Sequence, residues 1–208
     1  MNILLIDDQQ AILDGIKYYL KHLSNKFYEA KSWEQAYNIL EEGIIPDVVL
    51  LEYNLRPYEQ QNLHTGIDCA ALIRKYAPKC KIIINTGEEA AYVLYKIYAE
   101  KDVDAIIVKS DVKTEDLINV VNGKIQERYL CDRAQEAVSV ISQSSTFSDL
   151  VNLEILMYIW RCYNMSELEN IFGLSKSAIQ KRISKMLKEF KMTDRYHLMQ
   201  FLKEKKII

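Results

Sequence analysis

The stretch PDVVLLEYNL, residues 46–55, decides the fold of the first part of this chain. Its run of consecutive apolar residues, 48–51, indicates a strand that is buried on both faces, as in a parallel sheet covered by helices. The strand ends on a carboxylate, Glu52. Because ligands of open parallel sheets bind beyond the carboxyl ends of the strands, Glu52 marks a candidate site.

The same alternation continues on both sides of this strand. Apolar strands are predicted at 2–6, 26–30, 47–51, 81–85 and 104–108, and amphipathic helices follow them at 10–23, 33–42, 66–76, 88–99 and 114–122. Strands that alternate with helices in this way form a parallel sheet with helices on both faces. We therefore expect an α/β domain with a flavodoxin-like, doubly wound, five-stranded parallel sheet.

The strand–helix alternation stops after Gly123. The polar cluster SQSST, residues 142–146, indicates a linker, and the remaining sequence has the pattern of four short helices. Two of these helices are joined by the tight turn GLS, residues 173–175, which is typical of a helix-turn-helix. The predicted organisation is a first domain over 1–123, a linker over 124–147 and a small all-α domain over 148–208.

Composition limits the class of protein. No run of apolar residues approaches the ~18–20 needed to span a bilayer, so we expect a soluble, cytoplasmic protein without a membrane partner. The four cysteines show neither CxxC pairing nor metal-ligand spacing. Residues 1–147 carry 16 basic and 22 acidic side chains, whereas residues 148–208 carry 11 and 7. The acidic first part suits a metal or a protein, and the basic second part suits a polyanion.

Polar side chains follow four of the predicted strands, at the edge of the sheet where ligands bind. They are two adjacent acids, a further acid, a hydroxyl and an ammonium: Asp7, Asp8, Glu52, Thr86 and Lys109. Together they could hold a hard divalent cation and a phosphoryl group. In the alternative interpretation, Asp7 and Asp8 only satisfy the first turn of the following helix and Lys109 is a surface charge. That interpretation does not explain their common placement.

The motifs LLIDDQ, PDVVLLEYNL, IIINTG and IIVKS follow one another along the chain. By the order and the spacing of these motifs, residues 1–123 resemble the receiver domain of two-component response regulators. The resemblance implies Mg²⁺ as a cofactor and a cognate histidine kinase as the phosphoryl source. It also implies roles for individual positions: Asp7, Asp8, Glu52 and the Asn54 carbonyl at the metal, Thr86 and Lys109 at the phosphoryl group, and position 52 as the phosphoacceptor.

The acceptor position departs from the aspartate of this family. The extra methylene of Glu52 moves its carboxylate outward by ~1.5 Å, about one bond length. Misplacement near ~1 Å can cost ~100-fold in rate, so Glu52 is expected to be a poor acceptor. Its charge also lies nearer to where phosphoryl oxygens would sit, which would attract Thr86 and Lys109. Both hypotheses stay open: a disabled site, or a partial and permanent mimic of the phosphorylated form.

Two further departures concern the switch and one loop. Ile106 stands at the switch position, where receivers commonly carry a Tyr or Phe that swings inward on activation. An aliphatic residue there would report the switch by packing alone. The segment between Glu52 and Gly66 is longer than expected for the family, and Arg56 replaces the usual Pro. This loop is either specialised or a tolerated surface insertion.

Residues 166–195 resemble the LuxR-type helix-turn-helix of the NarL/FixJ regulator class. The match lies in Glu167 to Ser175 and in Arg195, whereas Glu169, Ala178 and Arg182 depart from it. A helix from Lys176 to Phe190 would present one apolar face and one basic face. A basic face of this kind fits the DNA major groove, and the residues expected at DNA are Lys176, Ser177, Gln180, Lys181, Arg182, Lys185 and Lys188. The alternative is a solvated, lysine-rich face on an ordinary helix.

These observations predict a response-regulator transcription factor that binds double-stranded promoter DNA as a homodimer under control of its receiver. The final segment FLKEKKII, residues 201–208, is then a dimer-packing helix or a frayed end. The alternative function is a signalling adaptor whose receiver controls a protein–protein interaction without DNA binding. No nucleotide-binding loop and no catalytic histidine motif is found in the sequence, so an enzyme is not expected.

Overall fold

A computed structural model of the chain describes residues 1–23, 26–125 and 127–208. Its first part contains a parallel sheet in the order β2-β1-β3-β4-β5-β6. The strands are β1 (Asn2–Ile6), β2 (Lys26–Ala30), β3 (Val48–Leu51), β4 (Lys81–Thr86), β5 (Ala105–Val108) and β6 (Tyr129–Leu130). The direction of winding reverses between β1 and β3, which makes the sheet doubly wound as predicted.

The helices of this part lie between the strands in sequence. They are α1 (Gln10–Leu20), α2 (Trp33–Glu41), α3 (Gly66–Tyr76), α4 (Ala91–Ala99) and α5 (Thr114–Val121), with a 3₁₀ turn at Glu59–Gln61. Helices α1 and α5 contact each other, as do α2 and α3. Apolar residues of β1, β3, α1 and α5 form one buried core, including Leu5, Leu50, Leu13 and Val120. Burial of these residues supplies the main driving force for the layered fold.

The sheet has one strand more than the five that were expected. Strand β6 pairs with β5, with Tyr129 opposite Ala105, and its flanking backbone bonds run from Tyr129 to Asp104 and from Cys131 to Ile106. Helix α6 (Asp132–Ser142) follows within the segment predicted as a linker. A strand of two residues is too short to produce an alternating sequence pattern, so only backbone pairing reveals it.

The rest of the chain is helical, as predicted. Its helices are α7 (Leu150–Trp160), α8 (Met165–Phe172), α9 (Lys176–Glu189) and α10 (Arg195–Glu204). Their core includes Leu153, Leu168, Ile179, Met186 and Leu202, each with no exposed surface.

The chain divides into two compact units, which we call the receiver unit and the helical unit. The receiver unit comprises Met1–Glu88 and Ile97–Gln135, and the helical unit comprises Glu89–Lys96 and Glu136–Ile208. The first turns of α4 therefore belong to the helical unit. The boundaries expected from the sequence, at 123 and 148, stay a prediction, and Gln126 of the expected linker lies outside the described residues.

The polar cluster at 142–146 is bonded to α9 within the helical unit. Glu189 of α9 accepts hydrogen bonds from Ser144 Oγ, at 2.6 Å, and from Thr146 Oγ1. Phe147 stacks on Phe190 with ring centroids 4.3 Å apart. This segment is thus held against α9.

In the described part of the chain, no helix combines the length and the apolar character that crossing a bilayer requires.

Candidate functional site

The receiver unit brings four strand ends together at one edge of its sheet. Ile6 pairs with Leu51, so the residues that follow them, Asp7 and Glu52, leave the sheet side by side. Thr86, the last residue of β4, pairs with Val108 of β5. Its carbonyl accepts the amide of Lys109 at 2.8 Å. Register therefore places Asp7, Glu52, Thr86 and Lys109 in one pocket, of which Asp7, Glu52 and Thr86 are buried.

Glu52 fills this pocket with its own carboxylate. Oε1 accepts hydrogen bonds from Thr86 Oγ1 at 2.5 Å and from the amides of Tyr53 and Asn54 at 2.6 and 3.3 Å. Oε2 accepts the amide of Gly87 at 3.1 Å. Both oxygens are thus bonded to donors from β4 and from the loops that follow β3 and β4. This set of donors is suited to an oxyanion.

Lys109 joins the two buried acids. Its Nζ lies 2.6 Å from Glu52 Oε2 and 2.6 Å from Asp7 Oδ2. The other carboxylate oxygen of Asp7 accepts the amide of Gln9, the N-cap residue of α1, at 3.0 Å. Asp7 therefore also plays the helix-terminal role of the alternative interpretation, while its second oxygen belongs to the pocket.

These contacts shift the pKa values of Glu52 and Lys109. Burial raises the pKa of Glu52, but the hydrogen bonds from Lys109 and Thr86 outweigh it and hold that pKa below the ordinary carboxyl value. Burial lowers the pKa of Lys109, yet its bonds to Asp7 and Glu52 leave it raised. The pocket therefore holds a charged carboxylate and a charged ammonium at neutral pH.

Lys109 contacts two of the acids that are predicted to hold magnesium. Among the described residues, no group of three or more His, Cys, Asp or Glu side chains is arranged to hold a metal ion. One oxygen each of Asp7 and Glu52 contacts the Lys109 ammonium, and Asp8 is exposed. A hard cation needs about six oxygens around it, and Lys109 competes for two of the best ones. The residues present fit Mg²⁺ only if Lys109 moves away.

Asn54 and Glu88 connect the two loops beside the pocket. The side-chain amide of Asn54 donates to the carboxylate of Glu88, and the amide of Glu88 donates to Thr86 Oγ1 at 3.1 Å. No sequence pattern indicated Glu88 or the Gly87 amide, because loop geometry decides which backbone groups face a pocket.

The long segment after Glu52 is ordered by its own contacts. Tyr58 and Leu63 form an antiparallel bridge, and Leu55 and Leu63 are buried. The segment ends at Gly66, where a Cβ atom would lie 2.7 Å from the Glu52 carbonyl oxygen. Only glycine permits α3 to begin this close to the end of β3. The loop is thus held by one backbone bridge and by buried leucines of its own.

Ile106 lies in the middle of β5 with no exposed surface, and its carbonyl accepts the amide of Cys131 at 3.0 Å. The residue is enclosed on its β6 side by the strand that the sequence did not predict. Its role as a switch position stays a prediction.

The helical unit contains the expected helix-turn-helix. Helix α8 ends at Gly173, whose φ of 61° is left-handed, and Ser175 caps α9 by accepting the amide of Ala178 at 3.3 Å. Ile179, Ile183 and Met186 of α9 face the core. Six of the seven residues predicted at DNA are exposed: Lys176, Ser177, Gln180, Lys181, Lys185 and Lys188.

Arg182 has partners within the helical unit, and its expected role at DNA stays a prediction. Its guanidinium binds Asp149 at 2.5 Å and the side-chain oxygen of Asn152 at 2.7 Å, and the residue is half-buried. Arg182 therefore fastens α9 to the start of α7. A position on the flank between the apolar and basic faces cannot be assigned from helical periodicity alone.

Glu169 has a structural partner that the sequence did not indicate. Its carboxylate accepts the backbone amide of Lys176, the first residue of α9, at 2.6 Å. An anion at this end of a helix is stabilised by the free amides and the helix dipole. The same charge lies at the end of α9 that is expected to meet DNA.

Comparison with known proteins agrees with this architecture. Residues 3–122 match the family described as response regulator receiver domain. The chain belongs to the response regulator receiver family. Comparison with curated protein sequences gives no match.

Solved structures of RcsB share the fold of this response regulator over nearly its whole length. A structure of two RcsB dimers bound to two parallel DNAs is 17% identical, covers 98% of each chain and has a TM-score of 0.65. RcsB from Salmonella enterica serovar Typhimurium, bound to promoter rprA in the presence of phosphomimetic BeF₃⁻, is also 17% identical over 98% of each chain, with a TM-score of 0.64. The isolated receiver of the same protein covers 66% of this response regulator and 98% of its own length, at 18% identity and a TM-score of 0.56.

Proposed function

We propose that this protein is a cytoplasmic response regulator that binds double-stranded DNA as a homodimer and regulates transcription. The observation that carries the proposal is the exposed basic face of α9, placed by a helix-turn-helix in the same chain as a receiver. Lysines and a glutamine on one helix face supply phosphate contacts and base-edge donors. RcsB, whose solved complexes contain dimers and DNA, has the same order of folds. The role is one of binding rather than catalysis.

We further propose that Glu52 acts as a partial, permanent mimic of a phosphorylated acceptor. Its two oxygens hold Thr86, the Gly87 amide and Lys109, the groups that an added phosphoryl group would be expected to engage. A carboxylate supplies one negative charge, whereas a phosphoryl group brings nearly two and three acceptor oxygens. The shift toward the active form is therefore incomplete.

Mg²⁺ binding by Asp7, Asp8, Glu52 and the Asn54 carbonyl belongs to the same proposal, as a weak interaction. The ion and the Lys109 ammonium compete for the oxygens of Asp7 and Glu52. When bound, the ion would neutralise the carboxylates of the pocket. A cognate histidine kinase remains the proposed partner of the receiver, although Glu52 is a poor acceptor for its phosphoryl group.

The DNA-binding role is tested by titrating the full chain into duplex DNA at several salt concentrations. A duplex selected from a random pool serves as the specific target, and a scrambled duplex is its control. We expect the affinity for both to fall as salt rises, because basic side chains displace condensed counterions. A chain that ignores both duplexes at low salt is instead an adaptor that acts through protein contacts.

A further inference from the structure

A cleft of about 150 Å³ lies within the receiver unit, between α1 and α5. We call it the α1–α5 cleft. Helix α1 forms one wall of it with Ala11, Ile12, Gly15, Ile16 and Tyr19. The rest of the lining comes from the end of β4, from the residues that follow β5 and from α5. Because most of these side chains are apolar, the cleft favours an apolar molecule over water.

Gly15 leaves this cleft open. The α1 residues of the wall form one stripe along the helix, and Gly15 lies in the middle of that stripe. A Cβ atom added at Gly15 would meet no other atom within 4 Å. Glycine weakens the interior of a helix, and Gly15 does not have the positive φ that would require it. A larger residue would therefore be tolerated by the backbone and would occupy the cleft.

Asn85 provides a buried polar group in the lining of the cleft. Only 7% of the residue is exposed, and its side chain forms no hydrogen bond with any residue that the structure describes. Asn85 follows Ile83 by two positions on β4 and pairs with Ile107 of β5. Ile83 and Ile107 belong to the core shared with α1 and α5, and side chains alternate along a strand, so the Asn85 amide faces the same side. A buried amide without a partner is costly, and a ligand could supply that partner.

The charges beside the cleft favour a neutral ligand. Lys109 also lines the cleft, but its ammonium is bonded to Asp7 and Glu52. Two carboxylates and one ammonium leave one negative charge, which would repel an anionic ligand. A cationic ligand would compete with Lys109 for the same carboxylate oxygens. A neutral molecule meets neither obstacle.

The size of the cleft limits the ligand to a single small ring. An apolar cavity near ~150 Å³ is large enough to hold benzene, so the ligand has about six to eight non-hydrogen atoms. Tyr19 and Val112 are exposed at the cleft, whereas Ile16 and Leu117 are buried. A bound ring would cover apolar surface of Tyr19 and Val112 that is in contact with water, and this burial favours binding.

We propose that the α1–α5 cleft binds a small neutral ring compound, of the size of phenol, whose single hydroxyl or amide group pairs with the Asn85 side chain. The ring packs on the apolar residues of α1 and on Leu117. Binding at this site needs neither a phosphoryl donor nor DNA. The proposal therefore stands or falls independently of the DNA-binding role proposed above.

A titration of the full chain with phenol, followed by two-dimensional NMR, tests the site. We expect saturable shifts at the Gly15 amide and at the side-chain amide of Asn85. Toluene has the same ring without the hydroxyl and should bind roughly three- to tenfold more weakly, because the hydrogen bond to Asn85 is lost. Benzoate should cause no saturable shift, since its charge is repelled. Absence of saturable shifts with phenol, or equal binding of all three compounds, would overturn the proposal.

Two variants locate the ligand within the cleft. Gly15→Leu should abolish phenol binding by filling the space, without lowering the melting temperature, because leucine is the better helix former. Gly15→Ala is its matched control, since it also improves the helix but leaves most of the space, and it should still bind phenol. Asn85→Leu keeps the size of the side chain and removes its amide, so phenol and toluene should bind alike. Full phenol binding by Gly15→Leu, or a retained preference for phenol in Asn85→Leu, would refute the assignment.

The alternative occupant of the cleft is a side chain from a second copy of this chain. Sedimentation velocity of the parent and of Gly15→Leu distinguishes the two occupants. We expect both chains to sediment alike, because the proposed ligand is a small molecule. A change of self-association in Gly15→Leu, in a parent chain that does not bind phenol, would assign the cleft to the second copy and overturn the proposal.

Discussion

The ammonium of Lys109 lies 2.6 Å from Oε2 of Glu52, so the charge of this carboxylate is already neutralised by the chain itself. The same ammonium lies 2.6 Å from Asp7. Lys109 therefore occupies an oxygen of Glu52 that could attack a phosphoryl group. It also occupies an oxygen of Asp7 that a cation would need. Reactivity, metal affinity and pH dependence all follow from this one relationship.

Glu52 should accept phosphate poorly. Incubation with acetyl phosphate should leave little covalent phosphate on the parent chain, because the carboxylate is misplaced by about one bond length and misplacement near ~1 Å can cost ~100-fold. Glu52→Asp should restore labelling, measured by intact-mass spectrometry. Equal labelling of the two chains would contradict the geometric argument.

The dimer fraction and the DNA affinity of the parent chain should lie between those of an inactive variant and those of a fully active one. Unphosphorylated Glu52→Ala represents the inactive limit and phosphorylated Glu52→Asp the active one. A shift from ~1:99 to ~99:1 requires ~5.5 kcal/mol, and one carboxylate charge supplies part of it. A parent chain that matches Glu52→Ala in both assays would mean that Glu52 only disables the site.

Mg²⁺ should bind weakly and through Asp8. Isothermal titration calorimetry on Asp8→Ala should show most of the affinity lost, because Asp8 is the predicted metal ligand that is exposed rather than paired with Lys109. Lys109→Ala should bind more tightly than the parent, since it releases oxygens of Asp7 and Glu52. The site assignment fails if Asp8→Ala binds Mg²⁺ as the parent does.

The pocket should make stability depend on acid pH. The pKa of folded Glu52 is held below its ordinary value of 4.5. Its favourable contribution is thus complete above pH 4.5 and is lost as the pH falls through the folded-state pKa. Urea unfolding of Glu52→Gln should show a smaller loss of stability over this acid range than the parent shows. Parallel curves for the two chains would rule out Glu52 as a source of the effect.

The lysines on the basic face of α9 should make two kinds of contact with DNA. Lys181→Ala should weaken binding to the specific duplex more than to a scrambled one, whereas Lys188→Ala should weaken both alike and reduce the salt slope by about one unit. Both side chains are exposed, which makes them a matched pair. Titrations over a range of salt would contradict this orientation of α9 if the two variants behaved identically.

Glu169 should oppose DNA binding. Glu169→Gln keeps an acceptor for the Lys176 amide and removes a negative charge at the DNA-facing end of α9. A carboxylate near DNA phosphates repels them, so the affinity should rise, and most strongly at low salt where the repulsion is least screened. Asn170→Asp, at an exposed neighbouring position, is a control for added charge away from this amide. Unchanged affinity in Glu169→Gln would show that the carboxylate does not face DNA.

The sequence by itself determined the layered receiver fold, the helix-turn-helix and the pocket of Asp7, Glu52, Thr86 and Lys109. Runs of apolar residues indicate strands buried on both faces, and parallel pairing brings the ends of such strands to one edge. The exposed face of α9 was also predicted from the sequence, because helical periodicity separates the core side of the helix from its solvent side. These features rest on patterns that are local in sequence.

Only the tertiary structure decided which groups meet across long distances. Strand β6 exists because the backbone of two residues pairs with the edge of β5, and no side-chain pattern predicts it. Arg182 binds Asp149 because the fold brings the start of α7 beside α9. Lys109 pairs with both acids, and the C-terminus caps α4, because folding satisfies buried charges and free amides with whatever partner the fold brings near. Such partners depend on three-dimensional proximity, which a linear pattern does not encode.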